Sequence, residues 1–241
     1  MKLIKQFLVT LIEYFFKIYF KVFGEPSVSR DLRKAIDLYK GQGFSSLFKL
    51  IRVWDAPYQE IESMVPKKGE IIDLGSGDGL MANYLGIASK KRKVFGIELN
   101  KSRLIESNKG ITNVSFKVGD ILKEKIYKVD AILLIHVFHH LPSFSSQVKM
   151  LEACKNNLNK NGKLIVAEVT QKPFLKYIFT YFTDVVILPI VFNNKIIDTK
   201  IHYRNDSDWK KMFKNYGFKV KTTFPHSGRP FSHVLYECQL K

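Results

Sequence analysis

The chain has few cysteines and no residue pattern that would hold a metal ion. Only Cys154 and Cys238 occur among its 241 residues, without a further cysteine or histidine at ligand spacing. This excludes a disulfide framework and a zinc site, so we expect no metal and a reducing compartment. No apolar segment is followed by a small-residue cleavage site, and a cleaved signal peptide is not expected. These features predict a cytoplasmic protein.

The chain also lacks any run of five or six basic residues, although it is strongly basic overall. Its 39 Lys and Arg outnumber 22 Asp and Glu, which gives a formal net charge of +17. The excess favours an acidic partner, such as nucleic acid, an anionic bilayer or an acidic carrier protein. The absence of a basic run disfavours a dedicated nucleic-acid-binding arm.

The first 24 residues predict one amphipathic helix with a narrow polar stripe. Polar residues recur every three or four positions among Leu, Ile, Val, Phe and Tyr: Lys2, Gln6, Thr10, Glu13, Lys17 and Lys21. The charges interrupt the segment too often for a helix that spans a bilayer. Two interpretations stay open: a peripheral anchor on the anionic inner face of the membrane, or a lid over the acceptor pocket.

Residues 25–68 predict a helical cap, and residues 69–241 predict the main domain. Short helices are expected in the cap at about Asp31–Tyr39, Ser45–Arg52 and Tyr58–Met64. From residue 70 onward, apolar runs of strand length alternate with helical patterns, which is typical of an α/β fold with a parallel sheet. The expected strands are Glu70–Leu74, Lys93–Leu99, Val114–Val118, Val129–Ile135 and Lys163–Val169, and the helices between them are Met81–Ser89, Lys101–Lys109 and Ser146–Asn159.

The end of the chain predicts a helix followed by two strands. The helix starts with Asp206 as its N-cap and runs to Tyr216 before Gly217. The strands Phe218–Phe224 and His233–Leu240 are joined by a connection too short for a crossover helix, so they should pair antiparallel.

A glycine-rich turn between the first strand and its helix is the strongest functional signal. Its glycines alternate as G-x-G-x-G and let the backbone approach a ligand closely, whereas the dinucleotide fingerprint places its third glycine one residue later. An acid before the first glycine favours a cationic amino-acid moiety over a pyrophosphate. We therefore predict cofactor contacts from Asp73, Gly75, Ser76, Gly77, Asp78 and Gly79.

This turn resembles the first motif of the class I methyltransferases that depend on S-adenosylmethionine (SAM). The resemblance extends from about residue 70 to the end of the chain. It implies a Rossmann-like, doubly wound, seven-stranded sheet of order 3-2-1-4-5-7-6 with the last strand antiparallel, and S-adenosylhomocysteine as the product. It also implies that Glu98, with Leu99 beside it, accepts from the ribose hydroxyls, that Asp120 accepts from the adenine amino group, and that Ile121 touches the ring.

Three histidines follow the fourth strand, where ligands of such sheets bind. We predict that His136, His139 and His140 lie close to the transferred methyl group, that one of them is a general base, and that His136 also contacts the cofactor. Alternatively, they bond the backbone at the strand end. The His-His-Leu sequence at 139–141 resembles methyltransferases of quinones, small aromatics and lipids, and not the Asn/Asp-Pro-Pro-Tyr signature of nucleobase and glutamine methyltransferases.

A second apolar segment, Pro173–Phe192, follows the fifth strand. Asp184 and Pro189 argue against a transmembrane helix, so we expect either a core-facing helix or a wall of an apolar acceptor pocket. Arg229 or His233 is expected near the mouth of that pocket.

These features predict methyl transfer from SAM to a lipophilic small molecule or a carrier-bound acyl or aromatic chain, at oxygen first and at carbon next. The alternatives are an RNA or protein methyltransferase and a non-catalytic SAM-binding module that docks on a membrane or a partner. The acceptor loop disfavours nucleic acid.

Overall fold

A computed structural model of the chain describes residues 2–23, 27–39, 54, 56–187, 189–190, 201–225 and 229–241. The predicted helix Ser45–Arg52 lies outside the described residues. The strands are β1 (Gly69–Leu74), β2 (Arg92–Glu98), β3 (Val114–Val118), β4 (Val129–Ile135), β5 (Leu158–Glu168), β6 (Phe218–Thr223) and β7 (Val234–Leu240).

The seven strands form one sheet of order β3-β2-β1-β4-β5-β7-β6. Strands β1 to β5 are mutually parallel, and β7 pairs antiparallel with both β5 and β6. The predicted α/β, Rossmann-like sheet with its antiparallel last strand is therefore confirmed. Alternate residues along the central strands contribute to two separate hydrophobic clusters, one on each face of the sheet, as a doubly wound fold requires.

Helices cover both faces and precede the sheet. They are α1 (Lys2–Phe23), α2 (Arg30–Asp37), α3 (Tyr58–Met64), α4 (Leu80–Ala88), α5 (Lys101–Ile105), α6 (Phe144–Asn157), α7 (Phe174–Phe182) and α8 (Asp206–Asn215). A short 3₁₀ helix spans Phe138–His140, and a π-helical turn spans Thr183–Ile187. Within the described ranges, no helix is both long and apolar enough to cross a bilayer.

The predicted N-cap of α8 is wrong by one residue. The Asn205 side chain accepts a hydrogen bond from the Asp208 backbone N–H at 2.8 Å and so caps the helix. Asp206 instead accepts hydrogen bonds from the Tyr236 hydroxyl and from Lys210. Its carboxylate therefore ties α8 to β7, which sequence spacing alone does not reveal.

Two other predicted elements differ from the observed ones by more than two residues at one end. Helix α5 ends at Ile105 and not at Lys109, because the chain turns so that the Ser107 hydroxyl donates to the Gly77 carbonyl at 3.3 Å. Strand β5 begins at Leu158, five residues before the predicted start, because Leu158 already pairs with Val129 of β4.

Candidate active site

The predicted cofactor residues meet at one edge of the sheet. Because β1, β2 and β3 are parallel, the segments that follow them emerge at the same edge. These segments are the glycine turn 75–79 after β1, Glu98 and Leu99 at the end of β2, and Asp120 and Ile121 after β3. These three segments lie at one edge of the sheet, and together we call them the cofactor cradle.

The glycine turn adopts a backbone that requires glycine. Gly75 has φ of 76°, and a Cβ there would lie 2.6 Å from a methyl carbon of Val137. Gly79 has φ of 77° and is the N-cap of α4. The turn therefore presents main chain, and not side chains, at the start of α4, where free N–H groups form a weak positive pole.

Glu98 links the turn to β2. Its Oε2 accepts from the Gly77 N–H at 2.9 Å, and its Oε1 accepts from the Asn100 N–H at 2.8 Å. Each carboxylate oxygen keeps a further lone pair, so both remain able to accept from a vicinal diol. Leu99, beside it, is 69% exposed and offers an apolar surface next to these oxygens.

The remaining predicted cofactor residues are buried or half-buried. Asp73 and Ser76 are buried, and the Ser76 hydroxyl has no hydrogen-bond partner in the part of the chain that the structure describes. Asp120 accepts from the Leu122 N–H at 3.0 Å, and Ile121 packs against the hydrophobic core. An unsatisfied buried hydroxyl, a buried acid and a diol-binding carboxylate fit a ligand with amino-acid and ribose groups.

The glycine turn is held in place by a buried hydrogen-bond network on its protein side. The sequence analysis did not predict this network. The Tyr39 hydroxyl donates to the Asp78 carbonyl at 2.7 Å and accepts from Asn83 Nδ2 at 2.8 Å. Asn83 Nδ2 also donates to the Ser107 carbonyl, and the Ser107 hydroxyl donates to the Gly77 carbonyl. Two carbonyls of the turn are thus satisfied within the protein, one of them by a residue from the cap.

The three histidines after β4 occupy different environments. His136 has φ of 54°, and its backbone N–H donates to the Ala167 carbonyl at 2.9 Å. His139 is fully buried, and its Nδ1 lies 2.5 Å from Glu168 Oε2. His140 is exposed, with its ring tilted by 49° relative to that of His139 and 4.2 Å from it between centroids.

Burial sets the protonation of the His139–Glu168 pair. Because both side chains are removed from water, the pKa of His139 is lowered to about 3 and the pKa of Glu168 is raised to about 7. At slightly alkaline pH the imidazole is neutral and Glu168 is a carboxylate. Nδ1 must then carry the proton and donate it to Glu168, which leaves a lone pair on Nε2.

The Nε2 side of His139 faces Asp184 and Tyr203. Tyr203 and the two tyrosines beside it, Tyr177 and Tyr181, form a group that we call the aromatic wall. Asp184 Oδ2 lies 3.8 Å from Nε2, and Nε2 has no hydrogen-bond partner among the described residues. The Tyr203 hydroxyl donates to Asp184, and its ring lies 5.0 Å from the His139 ring. Tyr177 and Tyr181 on α7 lie within about 6 Å of the Tyr203 ring.

His233 and Arg229 differ in their distance from this cluster. His233 is buried, with its ring centroid 5.2 Å from that of His136 and its Nε2 3.1 Å from the Trp54 carbonyl oxygen. Arg229 instead forms an ion pair with Glu60 on α3 at 2.8 Å. Of the two residues predicted near the pocket mouth, His233 is the one in contact with the histidine cluster.

Sequence reasoning missed Glu168 and Tyr39. Glu168 ends β5 in the sequence Val166-Ala167-Glu168, where an acid after a buried apolar run was a usable signal. Tyr39 carries no comparable signal, because a tyrosine at the end of a short helix is typical of ordinary packing.

Comparison with known proteins defines the class. Residues 49–223, more than half of the chain, match a family model described as a methyltransferase domain. The chain therefore belongs to the SAM-dependent class I methyltransferases with a Rossmann-like fold.

Similar proteins include plant O-methyltransferases. A flavonoid 4'-O-methyltransferase of Glycine max is 31% identical over 163 residues, which cover 66% of this chain and 43% of the relative. A desmethylxanthohumol 6'-O-methyltransferase of Humulus lupulus is 29% identical over 168 residues, covering 65% and 43%. The chain thus spans less than half the length of these relatives.

A solved structure shares the fold. Magnesium protoporphyrin IX methyltransferase from Synechocystis PCC 6803, with bound S-adenosylhomocysteine, matches with a TM-score of 0.60 and 16% identity, covering 88% of this chain and 94% of that protein.

Tyr39→Phe should weaken cofactor binding, because the Asp78 carbonyl and the Asn83 amide each lose a partner below the turn. The loss of one such hydrogen bond predicts a Kd for S-adenosylhomocysteine about fivefold higher by titration calorimetry. The control is Tyr216→Phe, which removes a hydroxyl that donates to Glu152 at 3.3 Å on the surface. An unchanged Kd in Tyr39→Phe, or an equal loss in the control, would contradict the role of this network.

Proposed function

We propose that the chain is a SAM-dependent O-methyltransferase whose acceptor is a lipophilic small molecule with an aromatic hydroxyl. The observation that carries the proposal is the buried His139–Glu168 pair, which leaves Nε2 of a neutral imidazole without a hydrogen-bond partner among the described residues. The activities printed for the plant relatives, O-methylation of flavonoids, support the same class of acceptor.

His139 acts as the general base, because the ionised Glu168 carboxylate beside Nδ1 favours the imidazolium and so opposes the lowering of the His139 pKa by burial. A phenol has a pKa of about 10, so its oxygen becomes a much better nucleophile if a positioned base takes its proton. The acceptor proton passes to Nε2, and the resulting imidazolium is stabilised by Glu168 at 2.5 Å and by Asp184 at 3.8 Å. Bound SAM supplies an electrophilic methyl group, which the acceptor oxygen takes up.

The cofactor is held by the residues at the edge of β1, β2 and β3. Glu98 accepts from the ribose hydroxyls, Asp73 and Ser76 face the amino-acid portion, and Asp120 and Ile121 hold the adenine. Gly75 and Gly79 allow the main chain to approach. We also assign a cofactor contact to His136. Its backbone is left-handed at the end of β4, and its ring lies near that of His139.

The acceptor is recognised by aromatic surface. Tyr203 lies beside the His139 ring, and Tyr177 and Tyr181 lie beside Tyr203. Aromatic rings bind planar aromatic ligands by offset or edge contacts. These three side chains are uncharged, which favours a lipophilic acceptor over a nucleic acid or a charged peptide.

Helix α1 is proposed as a peripheral anchor on an anionic membrane. Its Ile12 and Tyr19 pack on the core, with the Tyr19 ring 4.6 Å from Trp54. An adjacent side of the helix exposes large apolar residues: Phe7, Leu11, Tyr14, Phe15, Ile18 and Val22. A helix that served only as a lid would bury this face, so its exposure supports the membrane interpretation.

His139→Ala should lower kcat by about 10²- to 10⁴-fold, because the positioned base is lost. Transfer is measured from labelled SAM to a panel of hydroxylated flavonoids and to a total lipid extract, and cofactor binding is measured by calorimetry with S-adenosylhomocysteine. The Kd should stay unchanged, and the matched control His140→Ala, on an exposed ring, should keep most of its activity. Full activity in His139→Ala would contradict the proposal, and cofactor binding without transfer to any acceptor would favour a docking module.

Glu168 should give both activity and stability a pH dependence near neutrality. Only the ionised Glu168 carboxylate accepts a hydrogen bond from Nδ1 of His139 and so keeps the proton on that nitrogen. The value of kcat should therefore rise with pH and level off above an apparent pKa of about 7. The folded pKa lies above the unfolded value of about 4.3, so the protonated folded state is favoured and stability falls as pH rises through 7. From about pH 6.5 to pH 8 the free energy of unfolding should drop by about 1 kcal/mol.

Glu168→Gln should abolish this drop in denaturant unfolding while also lowering kcat. His139 does not interfere, because its lowered pKa costs stability only below about pH 6.5. The same drop in wild type and Glu168→Gln would show that another group causes it.

A further inference from the structure

Helix α7 exposes a continuous apolar face. Phe174, Leu175, Ile178 and Phe182 follow helical spacing on one side, and Phe174 and Leu175 are 67% and 82% exposed. The opposite side faces the protein: Thr180 is buried, and its hydroxyl accepts a hydrogen bond from the Ser232 N–H at 3.0 Å. The exposed side is therefore not the packing side of this helix.

One exposed lysine, Lys172, lies just before α7, whereas Lys176 is half-buried four residues before Thr180, on the packing side of the helix. On helix α1, Lys17 and Lys21 are exposed and lie along one edge of the exposed apolar face. An apolar face with lysines along its edge fits the boundary between lipid headgroups and acyl chains, where the lysines reach the phosphates.

The two helices flank the same part of the molecule. The Tyr19 ring of α1 contacts Trp54, whose carbonyl is bonded to His233. The Phe231 ring contacts His233 on one side and Phe179 of α7 on the other, at 6.2 and 5.2 Å between centroids. His233 in turn contacts His136, so both helices lie near the acceptor side of the site.

We propose that α7, together with α1, forms a docking surface for an anionic bilayer, which sets the acceptor site at the lipid surface. This inference rests on the proposed function, because it explains how a lipophilic acceptor reaches His139 without leaving the membrane. Tyr177 and Tyr181 on α7 belong to the aromatic wall, so the helix that contacts lipid also lines the site. The net charge of +17 matches an anionic surface and would attract the protein to it.

The test measures binding of the full chain to vesicles of equal parts phosphatidylglycerol and phosphatidylcholine. Leu175→Glu on α7 and Phe7→Glu on α1 should each lower the partition coefficient about tenfold, and the double variant should lower it further. The matched control is Tyr127→Glu, which changes a 71% exposed residue just before β4, at the opposite edge of the sheet. Wild-type binding should weaken at high salt, since screening reduces the lysine contribution.

Leu175→Glu should leave S-adenosylhomocysteine affinity and transfer to a water-dissolved phenol unchanged. These two readouts separate the inference from the proposed function, which fails if no acceptor is methylated, whatever the vesicles show. Equal vesicle binding by Leu175→Glu and Tyr127→Glu would overturn the docking surface. A solution dimer that Leu175→Glu dissociates, without any vesicle binding by wild type, would also overturn it and assign the face to a second copy of the chain.

Discussion

The hydrogen bond between His139 and Glu168 is the interaction on which the proposed chemistry of this protein depends. It joins the loop after β4 to the last residue of β5, and both residues are fully shielded from water. A buried carboxylate without a partner would be costly, so the pair constrains the loop as much as it tunes the imidazole. The register that pairs Ile135 with Ala167 brings the two strand ends level. The sheet thereby places the proposed base next to the proposed cofactor site.

Cofactor and acceptor chemistry come from different parts of the same edge. In the proposed function, strands β1 to β3 and their loops hold the nucleoside, while β4, β5 and α7 form the acceptor side. The segments before residue 69 contribute to both, because Tyr39 supports the glycine turn and Trp54 contacts His233. The cap is therefore part of the site. This division suits a fold that keeps one cofactor cradle and varies its acceptor wall.

The sheet and the cofactor cradle could be predicted because their signals are local. Parallel strands that are buried on both faces appear in the sequence as apolar runs. The glycine turn has backbone angles that only glycine adopts easily, so its glycines are a clear signal. The choice among His136, His139 and His140 could not be made, since five residues of sequence do not reveal which ring a 3₁₀ turn buries. Helix α7 was ambiguous for a similar reason: Pro173–Phe192 is apolar in either orientation, and the exposed face of α7 shows that it is not simply a core-facing helix. Asn205 and Asp206 are equally good N-caps by residue type, and only their observed hydrogen bonds separate them: Asn205 accepts from the Asp208 N–H, and Asp206 accepts from Tyr236.

The central claim is that His139 is a neutral imidazole with its proton on Nδ1 and its lone pair on Nε2. Nitrogen-15 NMR of the histidine side chains tests it most directly, because protonated and unprotonated ring nitrogens differ widely in chemical shift, and His139→Ala identifies the signals. At about pH 8 the account predicts a protonated Nδ1 and an unprotonated Nε2 for His139, with no imidazolium. A proton on Nε2, or on both nitrogens, would contradict it.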